Sequence, residues 1–190
     1  MKLTFNSPFT LIYTLLSVAV FFVFMANGWY TEFFTLNGTV QPEKIEWYAG
    51  IIGYAFGHAN FAHLLGNFTI ILLIGPLVEH HYGTKKLILI SLITVIVTAI
   101  IHILFWDHRL LGASGVVFML IILSSLIPSK GKEIPFTFIL IVLLFLGEEI
   151  YEAFKPSNVS RFAHITGGLL GAVFGFYLNA KKQQIPSVRK

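Results

Sequence analysis

The 190-residue sequence contains no cysteine. That excludes disulfides, thiolate metal sites and cysteine nucleophiles together. Charge is scarce as well: Asp, Glu, Lys and Arg make up 12% of the chain, against about 25% in soluble domains. So few charges cannot cover a water-soluble fold, and disorder is excluded because it needs low hydrophobicity and high charge. What is abundant is apolar: the AVILMFWYC set reaches 56%, and mean hydropathy is +0.79. The composition is that of an integral membrane protein.

A helical span needs about 20 mostly apolar residues to cross roughly 30 Å of hydrocarbon. Six segments qualify, near residues 9–27, 61–78, 87–106, 111–127, 134–150 and 162–178. Helices are expected because a lipid-exposed backbone must satisfy its own hydrogen bonds. The first segment follows Lys2 and ends at the small residues Ala26 and Gly28, as a signal peptide does. It is longer than the usual signal core of about 7–15 residues, so it reads as a retained helix.

Orientation follows the basic residues. With both termini in the cytoplasm, the inner side holds Lys2, Lys85, Lys86, Lys130, Lys132, Lys181, Lys182, Arg189 and Lys190, the last four in a basic tail over 179–190. The outer side holds only Lys44, Arg109, Lys155 and Arg161. The net charge of +4 is therefore a topology signal, and no nucleic-acid partner is expected. Connections are short except 28–60, an outer loop with Trp29, Tyr30, Phe33, Phe34, Trp47, Tyr48, Tyr54 and Phe56. Aromatics at this density predict a loop lying partly in the interface. No long repeat or separate soluble domain is visible, so 1–190 reads as a single membrane domain.

Polar side chains at membrane depth are costly and point to function. Span two opens with His58, Asn60, His63, Gly66 and Asn67; span four with Gly112-Ala113-Ser114-Gly115; span six with Ala163-His164 and then Gly167, Gly168 and Gly171. All three spans run from outside to inside, so the polar groups converge at similar depth. Ser114 reads as nucleophile and His164 as its general base, with no orienting acid expected inside the spans. His63 and Asn67 share a helical face and are candidate oxyanion donors, joined by the Ser114 backbone N–H. Gly167, Gly171 and Gly175 form a small-residue stripe that lets span six press on span four, where Gly115 offers a flat partner. Ser114 is expected about 9 Å below the outer edge of the hydrocarbon.

These motifs together resemble the rhomboid intramembrane serine proteases, from about Trp47 to Tyr177. The family pattern H-x₄-H-x₃-N matches His58, His63 and Asn67; G-x-S-G matches Gly112 to Gly115; A-H-x₂-G-x₃-G matches Ala163 to Gly171. The resemblance implies an all-α bundle of six transmembrane helices, a Ser114–His164 dyad, an acyl-enzyme on Ser114 and oxyanion contacts from His63 and Asn67. It implies that Phe118 packs on the catalytic imidazole and that Glu79 and Gly83 form a structural motif. Substrates would be transmembrane segments of other proteins, cut near the outer leaflet of what is expected to be a bacterial cell membrane, with no cofactor or metal. One difference stands out: the Trp-Arg pair that many rhomboids carry in the first outer loop is replaced here by the region of Ala49 and Gly50.

His58 precedes the helix and is expected to order the loop. His102 and His108 are expected at the interface, and Glu148, Glu149 and Glu152 in outer water. Two other functions fit parts of the pattern. A catalytically silent relative that binds membrane helices would lack the serine or histidine. A transporter or metalloenzyme using the seven histidines would want motifs such as H-E-x-x-H, which is absent.

Overall fold

The computed structural model describes residues 4–26, 32–129, 133–153 and 161–183. Lys2, Trp29, Tyr30, Lys130, Lys132, Lys155, the Glu152 side chain and the tail beyond Gln183, on which parts of the charge and loop reading rest, lie outside the described residues. Seven α-helices follow in order: α1 Pro8–Ala26, α2 Ile45–Gly53, α3 Phe61–Tyr82, α4 Thr84–Phe105, α5 Ser114–Ser125, α6 Phe136–Ala153 and α7 Arg161–Gln183. Among the described residues, three helices are long and apolar enough to cross a membrane: Phe61–Tyr82, Thr84–Phe105 and Arg161–Lys181. Ser114–Ser125 is a shorter apolar helix, and the part of α1 whose side chains are described, Pro8–Val23, is apolar as well.

Local chemistry sets the helix ends. Asn60 has extended backbone and its side chain accepts a hydrogen bond from His63 N at 2.8 Å, capping α3. Gly83, at φ +89°, ends α3 where a side chain would be strained, and α4 starts at once. Pro8 occupies the first position of α1, where a missing N–H costs nothing. The next two N–H groups of α1, from Phe9 and Thr10, donate to the Glu79 carboxylate of α3 at 2.9 and 3.0 Å. The Thr10 and Thr84 hydroxyls add bonds of 2.8 Å each to the same carboxylate. One buried acid thus ties α1, α3 and α4 together, a concrete structural role for this residue.

At the centre stands α5. Eight of its twelve residues are buried, and it packs on α7 above all, then on α3, α4 and α6. Twelve residues rise about 18 Å, well short of a roughly 30 Å hydrocarbon core. The helix is shorter at both ends than the 111–127 expected from hydropathy: residues 126–128 form a turn, residues 111–113 are not helical, and just before the latter Arg109 and Leu110 pair with Asn37 and Leu36 in a two-residue antiparallel ladder. The outer α6 exposes Leu143 and Leu144 and buries mainly the stripe through Phe145 and Glu149.

The long first loop has more structure than its composition suggests. It contains α2 and a 3₁₀ turn at Tyr54–Phe56, and folds back on the bundle. Leu36 and Tyr54 are buried. Tyr54 Oη donates to Val95 O at 3.0 Å, Tyr13 Oη donates to Ala55 O at 2.7 Å, and Trp47 Nε1 donates to Asn37 O at 2.9 Å.

Candidate active site

The non-helical approach to α5 is held from three sides. Gly112 N donates to Tyr54 O at 2.9 Å, Gly38 N donates to His108 O at 3.1 Å, and His102 Nε2 lies 2.8 Å from the same His108 carbonyl. His102 is fully buried and serves this loop. Its ring lies among those of Trp106, His108 and Phe162, which keeps it from lipid and water alike. Gly112 has φ +127°, a value only glycine adopts readily. A Cβ there would come within 2.7 Å of His63 Cε1, so the histidine ring of α3 lies directly against the chain leading into Ser114.

Ser114 is the first residue of α5. The opening N–H groups of a helix have no partner within it and carry partial positive charge, so this end is suited to a developing oxyanion. Asn67 on α3 is buried, and its Nδ2 has no hydrogen-bond partner. An unpaired buried amide costs about 1–3 kcal/mol unless some state of the protein uses it. His58 is buried too, with Nδ1 3.1 Å from Phe56 O and its ring 5.0 Å from that of His63. Burial, and then the neighbouring His63, push the His58 imidazole down to about 4, so it is neutral. The loop-ordering role expected for His58 fits these contacts.

His164 lies in the first turn of α7, and the small-residue stripe brings it to α5. A Cβ on Gly167 would collide with the Gly115 backbone, and one on Gly171 would come within 2.7 Å of Met119 O. The two helices meet backbone to backbone. Phe118, one turn into α5, stacks on the His164 ring at 4.3 Å between centroids. Among the hydrogen bonds of the described residues none joins Ser114 to His164. Catalytic hydrogen bonds commonly tighten only when substrate is bound.

The bond that His164 does make was not anticipated. Its Nδ1 lies 2.6 Å from Glu149 Oε1 on α6. Glu149 was expected in outer water, yet it is 7% exposed, while Glu148 beside it is open. The burial of Glu149 has a simple cause. Glu149 falls one turn after Phe145, on the single face that α6 turns inward, and the imidazole meets it there. No group of three His, Asp or Glu placed to hold a metal ion occurs among the described residues.

Residues 44–181 match the family model of the Rhomboid domain. The chain belongs to the rhomboid family. Among curated proteins it is similar to rhomboid protease GluP of Bacillus subtilis (strain 168), 29% identical over 87% of this chain and 34% of that protein. It is also similar to rhomboid protease GlpG of Yersinia pestis (strain Pestoides F), 23% identical over 90% of this chain and 62% of that protein. The chain thus spans about a third of the first relative's length and about three fifths of the second's. Family and apolar helices together make this rhomboid an integral membrane protein.

Proposed function

We propose that this rhomboid is an intramembrane serine endopeptidase that cleaves transmembrane segments of other membrane proteins near the outer leaflet. The observation that carries the reading is the seating of α7 on α5 at Gly115 and Gly167, with His164 against Phe118 and Ser114 at the buried helix start. In this reading the six apolar segments all cross the bilayer, 1–190 acts as one membrane domain, and both termini lie in the cytoplasm.

The chemistry follows from the residue types. Ser114 Oγ attacks the scissile carbonyl carbon while His164 Nε2 takes its proton. The carbonyl oxygen becomes an oxyanion and accepts hydrogen bonds from the Ser114 N–H, Asn67 Nδ2 and His63. Collapse breaks the C–N bond, and the leaving amine takes the proton from His164. Water then attacks the acyl-Ser114 ester with the same imidazole as base. Every step moves a proton or an acyl group, and no cofactor enters the balance.

Reconstitution in vesicles with a reporter bearing one transmembrane segment tests this reading, with the cut mapped by mass spectrometry. The expected scissile bond lies within or just above the outer third of the reporter's segment. Cleavage confined to water-exposed loops would contradict it.

A further inference from the structure

We infer that Glu149 is a positioning residue for His164, so that the site works as Ser114–His164–Glu149 rather than as a two-residue pair; this rests on the function proposed above. Three observations converge on the assignment. The first is geometric: Glu149 Oε1 stands 2.6 Å from His164 Nδ1, a charge-assisted contact length. The second is burial. Glu149 and His164 side chains are 8% and 13% exposed, and Oε2 of the carboxylate has no partner, so among the described residues the imidazole is the acid's one hydrogen-bonding neighbour. An acid in a membrane helix that pairs inward with a titratable group is a functional feature by default. The third is packing. Phe145, one turn before Glu149, lies 4.4 Å from Phe118, and Phe118 in turn stacks on His164. Gly168, four residues after His164, leaves room for the Phe145 ring, since a Cβ there would stand 3.2 Å from Phe145 Cε1. The imidazole is thus fixed in orientation by a ring on one face and a carboxylate at one nitrogen.

The chemical consequence is a choice of tautomer. With the carboxylate ionised and the imidazole neutral, Nδ1 donates to Glu149 and Nε2 keeps its lone pair free. That is the nitrogen a serine proton needs. When the imidazole gains the proton from Ser114, the carboxylate also stabilises the resulting cation, the role a buried acid plays in three-residue serine hydrolase sites. A site without this acid would divide its imidazole between two tautomers, one of them unable to accept the proton.

Glu149→Gln is the informative variant, because it keeps shape and removes charge. A tethered transmembrane reporter in vesicles gives kcat and KM, and ¹⁵N-histidine spectra of the same samples give the His164 tautomer, read by comparison with His164→Gln. The expected result is a kcat lower by about 10²-fold or more with KM within about threefold. The Nδ1-protonated signature of the wild-type ring should be lost or mixed in the variant, and Glu149→Asp should restore part of the rate. A kcat within about twofold of wild type together with an unchanged His164 tautomer would overturn the assignment. The tautomer is read without any turnover, so it judges the Glu149 contact even if the peptidase reading itself fails, which Ser114→Ala decides separately.

Discussion

Gly167 of α7 stands so close to Gly115 of α5 that no side-chain carbon fits between them. Backbone contact of this kind needs small residues on both helices, and it decides how near His164 comes to the start of α5. Gly167→Ala should push the helices apart, lower reporter cleavage by at least about 10²-fold and destabilise the fold by roughly 1–3 kcal/mol. Gly66 is the control. A Cβ there meets nothing within 4 Å, so Gly66→Ala should be neutral or stabilising by up to about 1 kcal/mol. Paired thermal unfolding and cleavage rates in the same detergent check both expectations.

Asn67 Nδ2 is buried without a partner. If that amide serves the oxyanion, Asn67→Ala should lower kcat by about 10²–10³-fold with little change in KM, since the bond forms mainly in the transition state. The same variant should unfold no more readily than wild type, because an unpaired donor contributes no hydrogen bond to lose. A kcat measured alongside an unfolding curve separates the two effects.

Glu79 ties down three helices through four hydrogen bonds. Glu79→Ala leaves the α1 N–H groups uncapped and should cost roughly 2–4 kcal/mol. Activity measured well below the new melting temperature should stay within about threefold of wild type, because the acid touches no part of the candidate site. Melting curves and low-temperature rates are the check.

His58 supplies a pH prediction. Burial holds its folded pKa at about 4, below the usual 6.5 that applies on unfolding. Above pH 6.5 both states are neutral and the stability is fully present. As pH falls from 6.5 towards 4, the unfolded chain takes up a proton that the folded chain refuses, and on the order of 2–3 kcal/mol is lost. His58→Gln should flatten that part of the stability profile. Unfolding at several pH values, compared between the two proteins, measures the difference.

Much of the site was legible from spacing alone. Helical periodicity put Gly167 and Gly171 on one face with His164, and the structure presses that face on Gly115 and Met119. Phe118, matched by family resemblance, does stack on the imidazole. Glu149 was missed because hydropathy counts acids as surface. The available signal was its place on the inward stripe of α6 through Phe138, Phe145 and Glu149. The partner of His102 was not legible for a related reason: what it hydrogen-bonds is a loop carbonyl, and loop geometry leaves no periodic trace. The two-residue pairing of Leu36 and Asn37 with Leu110 and Arg109 is similarly too short for any pattern to reveal, yet it lies just before the chain that leads into α5.

The central claim is that Ser114 is the nucleophile of a membrane-embedded peptidase. Ser114→Ala and wild type, reconstituted side by side, should be compared for cleavage of a tethered transmembrane reporter and for covalent labelling by a fluorophosphonate. Both signals should be present in wild type and fall to background in the variant, with its melting temperature unchanged. Equal cleavage and equal labelling in the two proteins would contradict it.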